Sequence, residues 1–158
     1  MKKLVAYFSA TGVTAGVASN LADAIGADLF EIAPLERYTK EDLNWWEESS
    51  RSTREMKDLN ARPQIARQCR LQDYDIIYVG FPIWWNVAPR IINTFLESYD
   101  LTGKTIVPFS TSGGSGIDKV NESISVSCPA IKRQRAKLFQ ANADFKELSD
   151  WAEEDYKD

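Results

Sequence analysis

The chain is expected to fold as a doubly wound α/β domain, an open parallel sheet with helices on both faces. Leu4 to Phe8 and Asp75 to Phe81 ("DIIYVGF") are continuous apolar runs, the pattern of strands covered on both sides. Each run leads through a turn into apolar residues at helical spacing. Strand and helix then alternate along the chain, which calls for right-handed crossovers and a parallel sheet.

The first strand is Leu4 to Phe8, and Thr14, Val17, Ala18, Leu21, Ala22 and Ile25 mark the buried face of the helix after it, closed by Gly26. Leu29 to Ala33 reads as a short second strand ending before Pro34. Residues 34–70 are irregular; within them "DLNWWEESSRSTREMKD" is compatible with a helix capped by Asp42. The third strand, Asp75 to Phe81, runs into the loop "PIWWNVAP". Pro89 suits a first helical turn, and Ile91, Ile92, Phe95, Leu96 and Tyr99 form the stripe of the helix that follows. Thr105 to Ser110 is strand four, although Pro108 cannot donate to a ladder. After "TSGGSG" come a helix from about Ile117 to Ser127, a weak fifth strand near Lys137 to Gln140, and an amphipathic helix with Phe145, Leu148 and Trp151. The end "EEDYKD" reads as a solvated tail. No repeat or domain boundary is evident, so residues 1–158 are expected to form one domain.

Composition narrows the function. A net charge of −4 without a large basic cluster argues against a nucleic-acid or anionic-membrane surface. Leu4 to Phe8 is too short for a signal peptide or a membrane span, and a cytoplasmic location is expected. Cys69 and Cys128 form no C-x-x-C pair and read as two buried thiols in a reducing compartment. The chain has no histidine, which removes Ser-His and Cys-His catalytic pairs and the commonest metal ligand. No metal site is expected. Any chemistry therefore points to a bound cofactor.

In open α/β sheets ligands bind beyond the carboxyl ends of the strands, and three unusual loops follow strands one, three and four. In the first, "YFSATGVTAG", Ser9, Thr11 and Thr14 offer hydroxyls, Gly12 allows close backbone approach, and the helix start offers free N–H groups. The loop suits one phosphate; it lacks the Gly-Lys-Ser/Thr of a P-loop and the G-x-G-x-x-G of a dinucleotide turn. An ordinary helix cap is the alternative. In the second, Trp84 and Trp85 present flat faces for an aromatic ligand, or else pack beneath the next helix or form a partner surface. The third, Thr111, Ser112, Gly113, Gly114, Ser115 and Gly116, brings backbone donors to a ligand edge, or is a flexible turn. Together the three describe a phosphorylated planar cofactor, and flavin mononucleotide (FMN) fits.

At these residues the chain resembles the flavodoxin family, chiefly through "YFSATGVT", "GFPIWWNVAPRIINTFLESYDLTGKTIVPFSTSGGSG" and "LNWWEESSRSTREM". The resemblance spans nearly the whole chain. It implies a five-stranded, three-layer α/β/α fold with strand order 2-1-3-4-5, which flavodoxin itself exemplifies. It implies FMN, with phosphate on Ser9, Thr11, Gly12, Val13 and Thr14 and the ring between Pro82, Ile83, Trp84, Trp85 and Asn86 on one side and Thr111 to Gly116 on the other. Two departures stand out. Asn86 occupies a region where many electron-carrying relatives have glycine, and the third loop lacks their stacking Tyr and acidic neighbours.

Two functions follow: electron transfer through bound flavin, or an NAD(P)H-dependent FMN oxidoreductase acting on a quinone or similar acceptor. Neither calls for a catalytic side chain, and the missing aromatic favours the second. A fold kept as a flavin-free binding module is the third possibility. A redox partner protein or a small-molecule acceptor is expected, with NAD(P)H for the enzyme alternative, and a monomer or homodimer. Trp45 and Trp46 either wall the cofactor site or, the preferred expectation, lie buried beneath their helix.

Overall fold

The computed structural model describes residues 2–111, 117, 119–128, 132–133 and 136–155. Six strands are described, β1 (Lys3–Tyr7), β2 (Asp28–Glu31), β3 (Ile76–Pro82), β4 (Thr105–Thr111), β5 (Lys132–Arg133) and β6 (Lys137–Phe139). They pair in parallel in the order β2-β1-β3-β4-β5, with β6 also pairing β4. The helices are α1 (Val13–Ile25), α2 (Arg51–Lys57), α3 (Arg90–Glu97), α4 (Val120–Ser125) and α5 (Phe145–Asp155).

The apolar runs are continuous because both faces of the sheet are covered. Side chains alternate along a strand, so Leu4 and Ala6 of β1 join Ile77, Val79 and Phe81 of β3 on one face, against Ile91, Ile92 and Phe95 of α3 and Val120 and Ile124 of α4. Val5 and Tyr78 face the other way, against Val17 and Leu21 of α1 and Leu148 and Trp151 of α5. Each such buried Leu, Ile or Phe contributes about 2 kcal/mol. Gly26, at φ 66°, closes α1 in the left-handed conformation, and Ala27 N–H returns to the Ala22 carbonyl at 3.0 Å.

Pro108 sits inside β4 because of where the neighbouring strand is broken. β5 pairs with Thr105 and Ile106, β6 with Phe109 to Thr111, and Val107 and Pro108 fall between. The expected fifth strand, Lys137 to Gln140, appears as β6 and ends one residue early at Phe139, while β5 is a further short strand that the sequence pattern did not announce. The second strand begins at Asp28 and ends at Glu31, short of Ala33. α3 stops at Glu97, before Tyr99, and α4 spans only Val120–Ser125 of the expected Ile117–Ser127. Pro89 is the cap preceding α3 rather than its first helical residue.

Residues 34–65 form an excursion whose ends are zipped together. Pro34 bridges Ile65, Leu35 N–H donates to the Gln64 carbonyl at 2.8 Å, and Ala66 N–H to the Ala33 carbonyl at 2.8 Å. The helix within it starts at Arg51, capped by Ser50, whose Oγ accepts from Thr53 N–H. Asp42 is not its cap. Instead Thr39 and Asp42 exchange side chain-to-backbone bonds at 2.9 and 3.1 Å around a single separate turn, a reciprocal capping box. Those bonds to Thr39 hold the Asp42 carboxyl below its ordinary pKa. Two bonds from Arg90 at the start of α3, to the Glu55 carbonyl at 3.4 Å and the Met56 carbonyl at 2.9 Å, anchor the end of α2. A guanidinium satisfies helix-end carbonyls and the dipole there together. The excursion is thereby pinned against the edge of the sheet where the loops after β1 and β3 emerge.

Cys128 is buried as expected, whereas Cys69 is only half-buried, with its N–H on the Tyr99 hydroxyl at 3.1 Å. No helix among the described residues is long and apolar enough to cross a membrane.

Candidate functional site

The first loop leaves β1 and enters α1 through Gly12, whose φ of 97° is open to glycine and strained for other residues. Gly12 N–H donates to Ser9 Oγ at 3.1 Å, which closes the turn. No side chain caps α1, and no acidic residue lies in its first turn. The helix start therefore presents uncapped N–H groups and the positive end of its dipole to solvent, where Thr11, Gly12 and Val13 are exposed. A Cβ built on Gly12 meets nothing within 4 Å, so the approach to this turn is open. Thr14 differs from the expectation: it is buried, and its Oγ1 lies 2.8 Å from Thr111 Oγ1 at the end of β4. The bond ties the start of α1 to the end of β4, and because either oxygen can be its donor the Thr14 hydroxyl retains a further hydrogen-bonding role.

The second loop makes a two-residue turn. Trp84 and Val87 exchange both backbone hydrogen bonds at 3.0 Å, with Trp85 at φ 50° and Asn86 at φ 67° between them. Positive φ at both central positions is the type I′ pattern; Asn tolerates it, but a bulky residue such as Trp does so only under strain. The two indoles thereby part. Trp84 is half-buried and edge-on to Phe8 and Tyr38, at centroid distances of 5.6 and 5.4 Å. Trp85 stays 44% exposed.

Tyr38 is held in turn by the excursion. Its hydroxyl donates to Glu55, Arg51 stacks over its ring at 3.9 Å, and Arg51 Nε reaches Glu55 at 2.9 Å. Burial first, then the bond to Glu55, raises the pKa of the Tyr38 phenol far above its ordinary value, so it remains a neutral donor.

Between these loops lies a cavity of about 500 Å³, a size typical of small-molecule sites. The first loop contributes Ala10, Thr11 and Val13 to its wall, the second Pro82, Ile83, Trp84 and Trp85, and the end of β4 Thr111. Of the residues expected from sequence, Ser9, Gly12, Thr14 and Asn86 are outside this wall, and Ser112, Gly113, Gly114, Ser115 and Gly116 lie outside the described residues. The excursion supplies Leu43, Trp45 and Ser52. Sequence reading missed Leu43 and Ser52 altogether, and in the first loop it passed over Ala10. The preferred burial of Trp45 and Trp46 beneath a helix is also overturned: they are 57% and 79% exposed and stack on each other at 3.9 Å, with Trp45 in the cavity wall. No group of His, Cys, Asp and Glu among the described residues is arranged to hold a metal ion.

Comparison with known proteins agrees with this architecture. A family profile described as Flavodoxin matches residues 2–155. The chain is similar, at 45% identity, to a candidate flavoprotein of Bacteroides uniformis ATCC 8492, with 96% of this chain and 97% of that one covered and a TM-score of 0.91. A second candidate flavoprotein, from Bacteroides eggerthii DSM 20697, also shares 45% identity, with 96% of each chain covered and a TM-score of 0.92. A flavoprotein of Lactobacillus acidophilus NCFM, solved in complex with FMN, shares the fold at 20% identity, with 96% and 98% covered and a TM-score of 0.74. No curated protein matches the chain.

Proposed function

Because the chain belongs to the flavodoxin family, we propose that it binds one FMN and transfers electrons through it. The carrying observation is the conjunction of the uncapped start of α1 with an aromatic-walled cavity beside it. The solved complex of the Lactobacillus acidophilus flavoprotein with FMN is consistent with the same ligand on this fold.

The residues present fit FMN. Thr11, Gly12 and Val13 surround the helix start, where backbone N–H groups and the dipole favour one phosphate. Trp85 and Trp45 offer indole faces to a flat ring, and Trp84 stiffens the wall through Phe8 and Tyr38. Bound FMN supplies the redox chemistry; this chain binds the ring, shields it from water and sets its surroundings. Stacking against electron-rich indole favours the electron-poor oxidised ring, so these aromatics tune the reduction potential as well as affinity.

The exposed Trp45–Trp46 pair is flanked by Glu41, Asp42, Glu47 and Glu48. Nucleotide phosphates brought against that acidic stretch would be repelled, which disfavours approach of a nicotinamide nucleotide from this side of the cavity. The test is to titrate purified protein with FMN and FAD, then measure NADPH oxidation with and without a quinone. The reading expects stoichiometric FMN, weak FAD and no quinone-dependent NADPH oxidation. Absence of FMN binding would overturn the flavin assignment; rapid NADPH-quinone turnover would select the oxidoreductase.

A further inference from the structure

Ser52 is the second residue of α2 and is 2% exposed, yet its Oγ has no hydrogen-bond partner. Its neighbours differ: Ser50 Oγ and Thr53 Oγ1 bond each other at 2.9 Å, and Ser50 Oγ also caps the helix. The backbone N–H of Ser52 is bonded to the Asp42 carbonyl at 3.0 Å, which fixes the residue in place. A buried hydroxyl left unpaired costs about 1–3 kcal/mol, so its persistence calls for a partner. Two other buried side-chain atoms among the described residues are unpaired, Asn93 Oδ1 and Ser110 Oγ, but of the three residues only Ser52 lines the cavity.

We infer that Ser52 is a flavin-recognition residue whose hydroxyl hydrogen-bonds a polar atom of the isoalloxazine ring. The inference rests on the FMN reading above and adds a contact from the excursion after β2. The chemistry around Ser52 selects the ring. Its companions from the excursion in the cavity wall are Leu43 and Trp45, which carry no charge, whereas phosphate is suited to the uncapped start of α1. A neutral hydroxyl among apolar and aromatic groups matches a neutral carbonyl or ring nitrogen on the edge of a stacked heterocycle. Ser can donate or accept, so the contact can follow either polarity at that edge. Such a bond also discriminates, since a ring lacking the polar atom would leave the hydroxyl buried and unpaired.

The test compares wild type with Ser52→Ala, which removes the hydroxyl without adding bulk. Thermal unfolding of the apo-proteins is measured alongside equilibrium titrations with FMN, riboflavin and lumiflavin. We expect the apo variant to melt at the same or a higher temperature, because the substitution removes an unsatisfied group. We expect Kd for all three flavins to rise by a common factor of about five- to tenfold, the effect of one neutral hydrogen bond. Unchanged affinity for every flavin would overturn the inference while leaving the FMN reading intact. Loss with FMN alone, or with FMN and riboflavin but not lumiflavin, would place the contact on phosphate or ribityl and overturn the ring assignment. A lower apo melting temperature with unchanged affinity would make Ser52 structural. Wild type that binds no flavin would remove the FMN reading itself, and this inference with it.

Discussion

Thr14 at the start of α1 and Thr111 at the end of β4 are 97 residues apart and meet through their side-chain oxygens at 2.8 Å, both buried. One bond thus joins the loop after β1 to the strand that leads into the glycine-rich segment. Replacing either Thr by Val leaves the other hydroxyl buried without a partner, so each single variant is expected to lose about 1–3 kcal/mol. The double variant should lose less than the sum, because it removes both polar groups at once. Denaturant unfolding of the four proteins tests this, and strict additivity would mean that the pair is not coupled.

Gly12 separates backbone strain from ligand contact. Gly12→Ala meets no neighbouring atom, but at φ 97° it should cost about 1–3 kcal/mol of stability. Gly12→Asp adds a carboxylate at the helix start proposed for the phosphate. It should weaken FMN far more than Gly12→Ala while leaving riboflavin affinity near that of Gly12→Ala. Equal affinities of both variants for FMN would place the phosphate elsewhere.

The two indoles of the second loop should behave differently. Trp84→Ala removes a ring packed against Phe8 and Tyr38, and we expect a loss of about 2 kcal/mol, below the 3–5 of a fully buried Trp. Trp85→Gly relieves a positive φ and should raise the stability of the apo-protein by about 1 kcal/mol. The same change should weaken FMN about three- to tenfold and raise the potential, as expected from a lost stacking partner. Denaturation curves, flavin titrations and potentiometry read these effects, and identical behaviour of the two variants would contradict the division of roles.

Gly80 in β3 lies under the ring of Phe109. A Cβ there would fall 2.2 Å from Phe109 Cζ, so Gly80→Ala should cost at least 2–3 kcal/mol, roughly the upper range for overpacking. Adding Phe109→Leu should recover part of the loss, since the clash is with that ring. Thermal melts of the single and double variants check the sign of this rescue.

At the opposite end of the sheet, Tyr74 donates to Asp28 Oδ2 at 2.7 Å. That bond, followed by burial, pushes its phenol from 10.0 up to about 12. The fold favours the neutral phenol, so this contribution is whole below pH 10 and is lost as pH rises towards 12. Tyr74→Phe should be less stable than wild type at pH 8, and the gap should narrow by pH 11.5. A gap independent of pH would show that the bond does not govern the titration.

The residues alone determined the layered α/β class and the course of β1, β3 and β4. Strands covered on both faces must be apolar at every position, and that pattern survives without any knowledge of neighbours. Placement of the loops after those strands on one rim followed from the parallel arrangement, so Thr11, Val13, Trp84, Trp85 and Thr111 were legible as site residues. Tertiary structure decided what each of them does there. The Thr14 hydroxyl is tied to Thr111, Trp84 packs on Phe8 and Tyr38 while still lining the cavity, and Trp85 lines it as the more exposed indole. Residues 34–65 show the limit most clearly. Their local pattern suggested a helix capped by Asp42 with Trp45 and Trp46 beneath it, but the bonds from Arg90 to the end of α2 draw the excursion over the site. Those bonds join residues more than thirty positions apart in sequence, and no local periodicity encodes them. The places of Leu43, Trp45 and Ser52 in the cavity wall therefore existed only once the chain had folded.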